Sequence, residues 1–393
     1  MAKRLIVCCD GTWNRPDQLD RGLAAPTNVA KFALAVMREA PDGTTQLLHY
    51  HPGVGTRRRE RLRGGAFGFG ISRNVRDCYR FLVENYEPGD ELYLLGFSRG
   101  AFTARSLAGL VRNSGILCQQ HVARIPDAYR LYRARRATAK PRGIEAQLFR
   151  RMHSHPDQDP MVHFIGVWDT VGSLGIPLDG LGLGRLINRR WGFHDTDLSS
   201  RVRYAYQALA MDEDRGPFRP TPWTLGSGQA EQTLEQVWFS GAHCDIGGGY
   251  RDPSLSEITL LWMADRASRS GLALDAERLR PCDVSGDDPR RITAACVAPD
   301  ALGSLHNSRK GLYRLLRRYR RPITPDHLTC EAVASSAIRR RDQVAGYRPP
   351  ALENYDEPIT PVREELEAAR DAEAGDTDAA ALGRVPAAAS GAR

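Results

Sequence analysis

Gly96-Phe97-Ser98-Arg99-Gly100 places a serine between two glycines in the pattern G-x-S-x-G. In this pattern, the nucleophile elbow, the serine lies on a sharp turn between a strand and a helix, and the glycines let backbone segments pass closely. The context fits, because an apolar run at residues 92–95 precedes the turn and a helical pattern follows it. We therefore predict that Ser98 is a nucleophile. The alternative is a glycine-rich turn without a chemical role.

A serine hydroxyl needs a base, and the base needs a carboxylate to orient it. Both residue types follow at the ends of apolar runs, with Asp169 after residues 164–168 and His243 after residues 237–239. The order Ser98, Asp169, His243 is that of the α/β-hydrolases. We predict that the three residues form the catalytic triad of a serine ester hydrolase that needs no cofactor and no metal. The alternatives are a capping role for Asp169 and a core role for His243.

Hydrolysis of an ester also needs N–H donors for the oxyanion of the tetrahedral intermediate. The backbone N–H of Arg99, directly after Ser98, is one predicted donor. The second is predicted to be Gly11 or Thr12, in the loop that follows the first apolar run. Asp10 is expected to hold this loop through its carboxylate, as Asp often does in turns.

A metal-dependent phosphohydrolase is a second interpretation of these residues. Asp10, Asp169, His243 and Asp245 could converge on a divalent ion. This interpretation leaves the Ser98 motif unexplained, so we favour the serine mechanism and expect Asp245 to shape the loop after His243. A further alternative is a binding protein that keeps the hydrolase scaffold without turnover.

The elements that must position these residues alternate between strand and helix. Helical stripes are predicted at residues 71–86 and 99–112. Apolar runs predict strands at residues 4–9, 46–51, 91–95, 162–167 and 235–239. This alternation predicts an α/β fold with a mostly parallel central sheet flanked by helices. In such folds, ligands bind at the carboxyl ends of the strands.

Two stretches interrupt the alternation and are predicted to be lid-like insertions above that edge. Residues 116–160 are polar and Arg-rich, and residues 172–200 are rich in Leu and Gly. Residues 1–350 are predicted to form a single catalytic domain. Residues 351–393 hold ten acidic and four basic side chains and little apolar surface, so we expect a mobile tail.

The composition is typical of a globular enzyme, with 393 residues, 41% hydrophobic residues and a formal net charge of +8. Clustered cations attract anionic partners such as phospholipid headgroups, although an Arg-rich composition also follows from a GC-rich genome. We expect no nucleic-acid partner. No apolar run reaches the length of a membrane span, and the amino terminus lacks the pattern of a signal peptide. A cytoplasmic location is therefore predicted, and export by a dedicated secretion system stays open.

Residues 311–321 are predicted to form a basic helix. Its apolar positions are Leu312, Leu315, Leu316 and Tyr319, which share one helical face opposite several arginines. Such a helix would give the protein a peripheral contact with membranes. The alternative is a helix that packs on the core and exposes its basic face to solvent.

Six motifs in order along the chain resemble a known family. They are Asp10-Gly11-Thr12-Trp13-Asn14, Gly53-Val54-Gly55-Thr56, residues 96–101, Trp168-Asp169-Thr170-Val171, residues 208–213 and residues 241–250. Together they resemble the α/β-hydrolase domain family that includes the type VI secretion phospholipase effectors, over about residues 3–270. The resemblance implies the Ser98–Asp169–His243 triad and a lipolytic ester hydrolase. We expect no counterpart in this sequence of the long membrane-anchoring regions of those toxins. The resemblance therefore implies hydrolysis strongly and a phospholipid substrate only moderately.

Overall fold

A parallel eight-stranded sheet forms the centre of the protein. The computed structural model describes residues 2–11, 19–20, 22–53, 67–155, 162–171, 197–226, 232–280, 297–315, 317–353, 355–356 and 358–362. The strands of the sheet are β1 (Arg4–Cys9), β4 (Gln46–His51), β5 (Glu91–Phe97), β6 (Val162–Trp168), β7 (Val202–Ala210), β8 (Thr233–Phe239), β9 (Glu331–Ala334) and β10 (Ile359–Thr360). A separate hairpin consists of β2 (Leu19–Asp20) and β3 (Leu23–Ala24).

The strand order is β10-β9-β8-β7-β6-β5-β1-β4, and each neighbouring pair runs parallel. The predicted α/β class with a mostly parallel sheet is therefore confirmed. The chain passes from β1 to β4 on one side and later returns to β5 on the other side of β1. In open parallel sheets, such a reversal opens a crevice at the carboxyl ends of the two strands, where ligands bind. Asp10 follows β1 and Ser98 follows β5 at this crevice.

Helices cover both faces of the sheet. They are α1 (Asn28–Ala35), α2 (Phe67–Asn85), α3 (Arg99–Ser114), α4 (Ile125–Arg133), α5 (Ile144–His153), α6 (His243–Gly247), α7 (Ser254–Arg269) and α8 (Ser335–Gln343). Because side chains alternate along a strand, the adjacent Cys8 and Cys9 enter different cores. Cys9 packs with α2 and α3, whereas Cys8 packs with α1 and α7. The helices and the sheet thus form three layers.

The segment after α3 does not have the position predicted for a lid. It starts at the carboxyl end of α3 and leads into the amino end of β6, so both of its ends lie at the edge of the sheet opposite Ser98. Helix α4 packs against α2 and α3 and buries Ile125, Ala128 and Leu131. This apolar stripe attaches the segment to the core, which the overall polarity of residues 116–160 concealed. Residues 172–196, nearly all of the second predicted insertion, lie outside the described residues.

The packed domain also extends beyond the predicted boundary at residue 350. Leu352 and Tyr355 are buried against Trp238 and Val333, and β10 adds a strand beside β9. The predicted tail is therefore wrong in its first residues, because a few apolar side chains and one short strand suffice to attach them. Residues 363–393 lie outside the described residues.

Candidate active site

Ser98 occupies a strained turn between β5 and α3. Its backbone has φ 57° and ψ −117°, in the left-handed half of conformational space. A non-glycine residue pays about 1–3 kcal/mol for such a conformation and keeps it only where surrounding contacts enforce it. Here the Ser98 N–H donates to the Trp168 carbonyl at 3.0 Å, and the Phe102 N–H donates to the Ser98 carbonyl at 3.1 Å. These contacts hold the serine in the geometry predicted for a nucleophile elbow.

The two glycines of the motif are required by close backbone contacts. A Cβ atom at Gly96 would lie 2.4 Å from the Gly100 carbonyl oxygen, and one at Gly100 would lie 2.0 Å from the Cys9 carbonyl oxygen. Both distances are far below van der Waals contact. The glycines therefore let α3 begin directly beside β1, which brings Ser98 to the crevice.

Ser98, His243 and Asp169 form one hydrogen-bonded series. The His243 Nε2 lies 2.8 Å from the Ser98 Oγ, and its Nδ1 lies 2.6 Å from an Asp169 carboxylate oxygen. The three side chains come from the ends of β5, β6 and β8 and are all buried. Parallel strands bring residues that are distant in sequence to the same edge, as the prediction required.

Arg321 holds the outer side of Asp169, a role that no sequence motif indicated. Its guanidinium donates to both carboxylate oxygens, at 2.5 and 3.0 Å, and the Ala210 N–H donates to one of them at 3.0 Å. Burial alone would raise the pKa of Asp169, but Arg321 and His243 outweigh it and keep this pKa well below its usual range. Asp169 is therefore ionised and fixed in orientation.

The basic helix predicted at residues 311–321 is not formed. A short 3-10 turn spans Gly311–Leu315, and residues 317–321 are not helical. Arg318 pairs with Asp214 at 2.9 Å, and Arg321 is buried rather than directed to a membrane. Ion pairs with distant carboxylates, which sequence periodicity does not report, determine the path of this segment.

His243 lies in an apolar enclosure that favours its neutral form. The Phe97 ring centroid lies 4.7 Å and the Phe218 ring centroid 5.0 Å from the imidazole. Burial lowers the pKa of His243, and the hydrogen bond that its Nδ1–H donates to Asp169 offsets this only in part. A neutral imidazole accepts a proton, so the ring is in the state that a general base requires.

Glu213 and Arg215 support the histidine from the other side and were also not predicted as site residues. Glu213 is buried and accepts two hydrogen bonds from the Arg215 guanidinium, at 2.8 and 2.7 Å, and one from the His243 N–H at 3.3 Å. The Arg215 guanidinium stacks 3.6 Å from the centroid of the Phe218 ring. This ion pair therefore fixes both the start of α6 and the ring that covers His243. The family motif at residues 208–213 ends at Glu213 and was the sequence signal that could have indicated this role.

The predicted oxyanion donors differ in their environments. Arg99 is the first residue of α3, so its N–H belongs to the amino-terminal turn beside Ser98. The Gly11 N–H instead donates to the Asp10 carboxylate at 2.6 Å. Asp10 also accepts from the Thr27 hydroxyl at 2.8 Å and the Tyr50 hydroxyl at 2.5 Å, so its carboxylate anchors the loop. Thr12 lies outside the described residues.

Asp245 holds a loop. Its carboxylate accepts from the Ala242 N–H at 2.9 Å and lies 2.6 Å from the Nδ1 of His306. The carboxylates of Asp10, Asp169 and Asp245 thus face different partners. In the part of the chain that the structure describes, no three His, Cys, Asp or Glu side chains are grouped to hold a metal ion. The convergence on which the metal-dependent interpretation depended is not present.

Residues 3–266 match the family described as type VI secretion system phospholipase effector Tle1-like, catalytic domain. The chain belongs to this family. The match covers the Ser98, Asp169 and His243 positions and agrees with the family resemblance that the six motifs indicated. No helix among the described residues has the length and hydrophobicity needed to cross a membrane.

This chain covers only part of the length of each similar protein. An uncharacterized protein of Saccharomyces cerevisiae is 30% identical over 242 residues, which are 56% of this chain and 33% of the yeast protein. The Tle1 effector bound to the VgrG spike of the type 6 secretion system is 18% identical, with a TM-score of 0.38 over 64% of this chain and 52% of that one. An uncharacterized protein from Pseudomonas aeruginosa is also 18% identical, with a TM-score of 0.42 over 70% and 46%. The chain spans about a third of the yeast relative and about half of the Tle1 effector.

Proposed function

We propose that the protein is a serine hydrolase that cleaves carboxylic esters through Ser98, His243 and Asp169. One observation carries the proposal: the serine at the strained turn lies 2.8 Å from a histidine whose other nitrogen lies 2.6 Å from a buried carboxylate. This is the geometric pattern of an activated serine, in which a base touches the nucleophile and a third group orients the base.

In the proposed mechanism, the Ser98 Oγ attacks the ester carbonyl carbon while His243 accepts the hydroxyl proton. Asp169 stabilises the resulting imidazolium and holds the tautomer whose Nε2 faces Ser98. The tetrahedral intermediate collapses to an acyl-enzyme, and His243 donates the proton to the leaving alcohol. Water then attacks the acyl-enzyme with His243 again as the base, which releases the acid and restores Ser98.

The oxyanion is proposed to bind the Arg99 N–H and a second donor from the loop of Gly11 and Thr12. Gly11 follows β1, which is the strand beside β5, so it borders the crevice in which Ser98 lies. For Gly11 to contribute, the substrate oxygen must replace the Asp10 carboxylate as the acceptor of its N–H. Asp10 would then serve to position the loop rather than to react.

The proposed substrate is a lipid ester, in particular a phospholipid, because the chain belongs to a phospholipase-like family. Such a substrate implies peripheral contact with a membrane surface. Its binding element is not the predicted helix at residues 311–321, which is not formed. The predicted cytoplasmic location stays a prediction, which fractionation of cells that produce the protein would test.

A fluorophosphonate probe tests the mechanism, because it labels only an activated serine. Labelling of the wild-type protein, together with hydrolysis of p-nitrophenyl esters and of phospholipid vesicles, is expected. Ser98→Ala should abolish both, whereas Ser200→Ala, at an exposed serine, should retain both. Vesicle binding without labelling or hydrolysis would contradict the proposal and favour the binding protein that keeps the scaffold without turnover.

A further inference from the structure

A second cavity lies away from the triad. Its volume is about 450 Å³, and it is bordered by the carboxyl-terminal half of α3, the segment at residues 132–142 and the start of β7. This volume is within the range of small-molecule binding sites. Neither Ser98, Asp169 nor His243 lines it. The cavity therefore needs an explanation separate from ester hydrolysis.

Cations dominate the lining of this cavity. Among the residues that the structure describes, Arg105, Arg112, Lys140 and Arg142 line it, against one carboxylate, that of Asp197. Among the described residues, no carboxylate oxygen lies within 4.0 Å of the charged nitrogens of Arg112, Lys140 or Arg142. Concave sites lined by one sign of charge concentrate counter-ions of the opposite sign. The cavity therefore favours an anion.

A further arginine, Arg150 of α5, contacts two residues of the lining and strengthens this field. Arg150 donates to the carbonyl oxygens of Asn113 and Pro141, at 2.6 and 2.9 Å, which are neutral acceptors. These contacts fix the arginine but do not cancel its charge.

The rest of the lining is apolar and aromatic. Ala108, Ile165, Val202 and Trp223 contribute buried apolar surface. The guanidinium of Arg105 lies 4.3 Å from the centroid of the Trp223 ring, a cation–π contact that keeps this wall rigid. A fully hydrated inorganic ion would leave these side chains without contacts. The cavity fits a molecule with a charged group and an apolar body.

We propose that this cavity binds a small amphiphilic anion. A phosphate or carboxylate group is held by Arg112, Lys140 and Arg142, and the apolar body packs against Ala108, Ile165 and Trp223. Guanidinium groups bind both kinds of anion through paired, charge-assisted hydrogen bonds. The ligand is either a lipid fragment, such as a fatty acid or a lysophospholipid, or a soluble phosphorylated compound.

Calorimetric titration of the full chain with matched probes tests the proposal. Octyl phosphate and octanoate carry an anion on an apolar chain, octanol carries the chain alone, and inorganic phosphate carries the anion alone. Both amphiphilic anions are expected to bind with one-to-one stoichiometry and at least about ten-fold tighter than octanol or phosphate, because they use both parts of the lining. Octanol binding as tightly as octyl phosphate would overturn the proposal.

Substitutions of the cationic lining residues test whether the anion binds in this cavity. Lys140→Gln with Arg142→Gln should weaken octyl phosphate binding at least about ten-fold, since two charge-assisted contacts are lost. Both side chains are exposed, so the fold should persist, which thermal unfolding checks. Arg112→Gln provides an independent variant on α3. Arg151→Gln removes an exposed arginine of α5 that does not line the cavity and should leave binding unchanged.

Unchanged binding in both cavity variants would place the anion elsewhere and refute the proposal. The source of the ligand follows from a further comparison with phenyl phosphate, a soluble phosphorylated compound with a compact apolar body. Tighter binding of octanoate and octyl phosphate identifies a lipid fragment, and tighter binding of phenyl phosphate identifies a soluble phosphorylated compound. These measurements do not require ester hydrolysis, so they stand or fall independently of the proposed triad.

Discussion

Two aspartate–histidine pairs each contribute one residue to the same short helix, α6. The pKa values of their histidines shift in opposite directions. The His243 Nδ1 lies 2.6 Å from Asp169, and the His306 Nδ1 lies 2.6 Å from Asp245. Despite equal distances, the pKa of His243 is lowered and that of His306 is raised. A carboxylate partner therefore does not by itself set the protonation state of a histidine.

Burial and a third charge account for the difference. Burial lowers the pKa of His243 more than Asp169 raises it, and the positive charge of Arg215 lowers this pKa further. His306 has a side-chain exposure of 25%, so its hydrogen bond with Asp245 outweighs the effect of burial. The first pair therefore presents a neutral base to Ser98, whereas the second favours a charged link between α6 and the segment at residues 297–315.

Replacing the two histidines should give the largest contrast. His243→Asn removes the base, and the loss in kcat is expected to approach the order of 10⁶ measured in a well-studied serine protease. His306→Asn removes a link that does not contact Ser98, so kcat should change by no more than about three-fold. Steady-state kinetics on a soluble p-nitrophenyl ester measure both. Comparable losses in the two folded variants would contradict the assignment of His243 as the base.

The second-largest difference in kcat is expected between variants of the two aspartates. Asp169→Asn should lower kcat by about 10⁴-fold, because an amide favours the wrong imidazole tautomer and does not stabilise the imidazolium. Asp245→Asn should retain most of the activity, since its partners are the Ala242 N–H and His306. Circular dichroism verifies that both variants are folded. An inactive Asp245→Asn beside an active Asp169→Asn would show that the acid has been misassigned.

Arg321 also distinguishes the two pairs. It forms an ion pair with Asp169, whereas Asp245 has no arginine partner among the described residues. Arg321→Gln leaves a buried carboxylate with one cation fewer, and the free energy of unfolding should fall by about 3–5 kcal/mol. The pKa of His243 should rise, since Asp169 then acts on the imidazole without a competing guanidinium.

Urea unfolding and the pH dependence of kcat/KM measure these two effects. Arg318→Gln is the control, because Arg318 is 61% exposed and its pair with Asp214 should be worth less than about 1 kcal/mol. A purely structural role of Arg321 would lower stability without moving the acid limb of the profile. That result would contradict an electrostatic effect of Arg321 on the pKa of His243.

The smallest effects are in the pH titrations. The proposed mechanism requires neutral His243, so the acid limb of kcat/KM should have its midpoint below the ordinary value of 6.5. His306 should titrate above 6.5 in an NMR experiment. A raised folded pKa contributes stability that is fully present below the unfolded value and is lost as pH rises through the folded one. His306→Asn should remove that loss, and a titration of His306 below 6.5 would contradict the difference between the pairs.

Features that depend on contiguous residues were readable from the sequence. The apolar run before Ser98, the flanking glycines and the helical stripe after it are adjacent in the chain, and together they predict a turn that the structure contains. The alternation of strands and helices predicts a parallel sheet, and such a sheet brings the ends of β5, β6 and β8 together. The membership in the Tle1-like family follows from motifs that are likewise local.

Contacts between distant residues were decided only by the tertiary structure. Arg321 lies 152 residues after Asp169. The residues around it are spaced as in an amphipathic helix, which predicted a membrane contact instead of a buried ion pair. Periodicity reports which side chains share a face but not which charge is buried or with what partner. The same limit applies to residues 116–155, whose polarity concealed a buried stripe. Composition and spacing determined the fold class and the candidate nucleophile, whereas burial, which exists only once the chain is folded, decided the ionisation of His243 and the partner of Asp169.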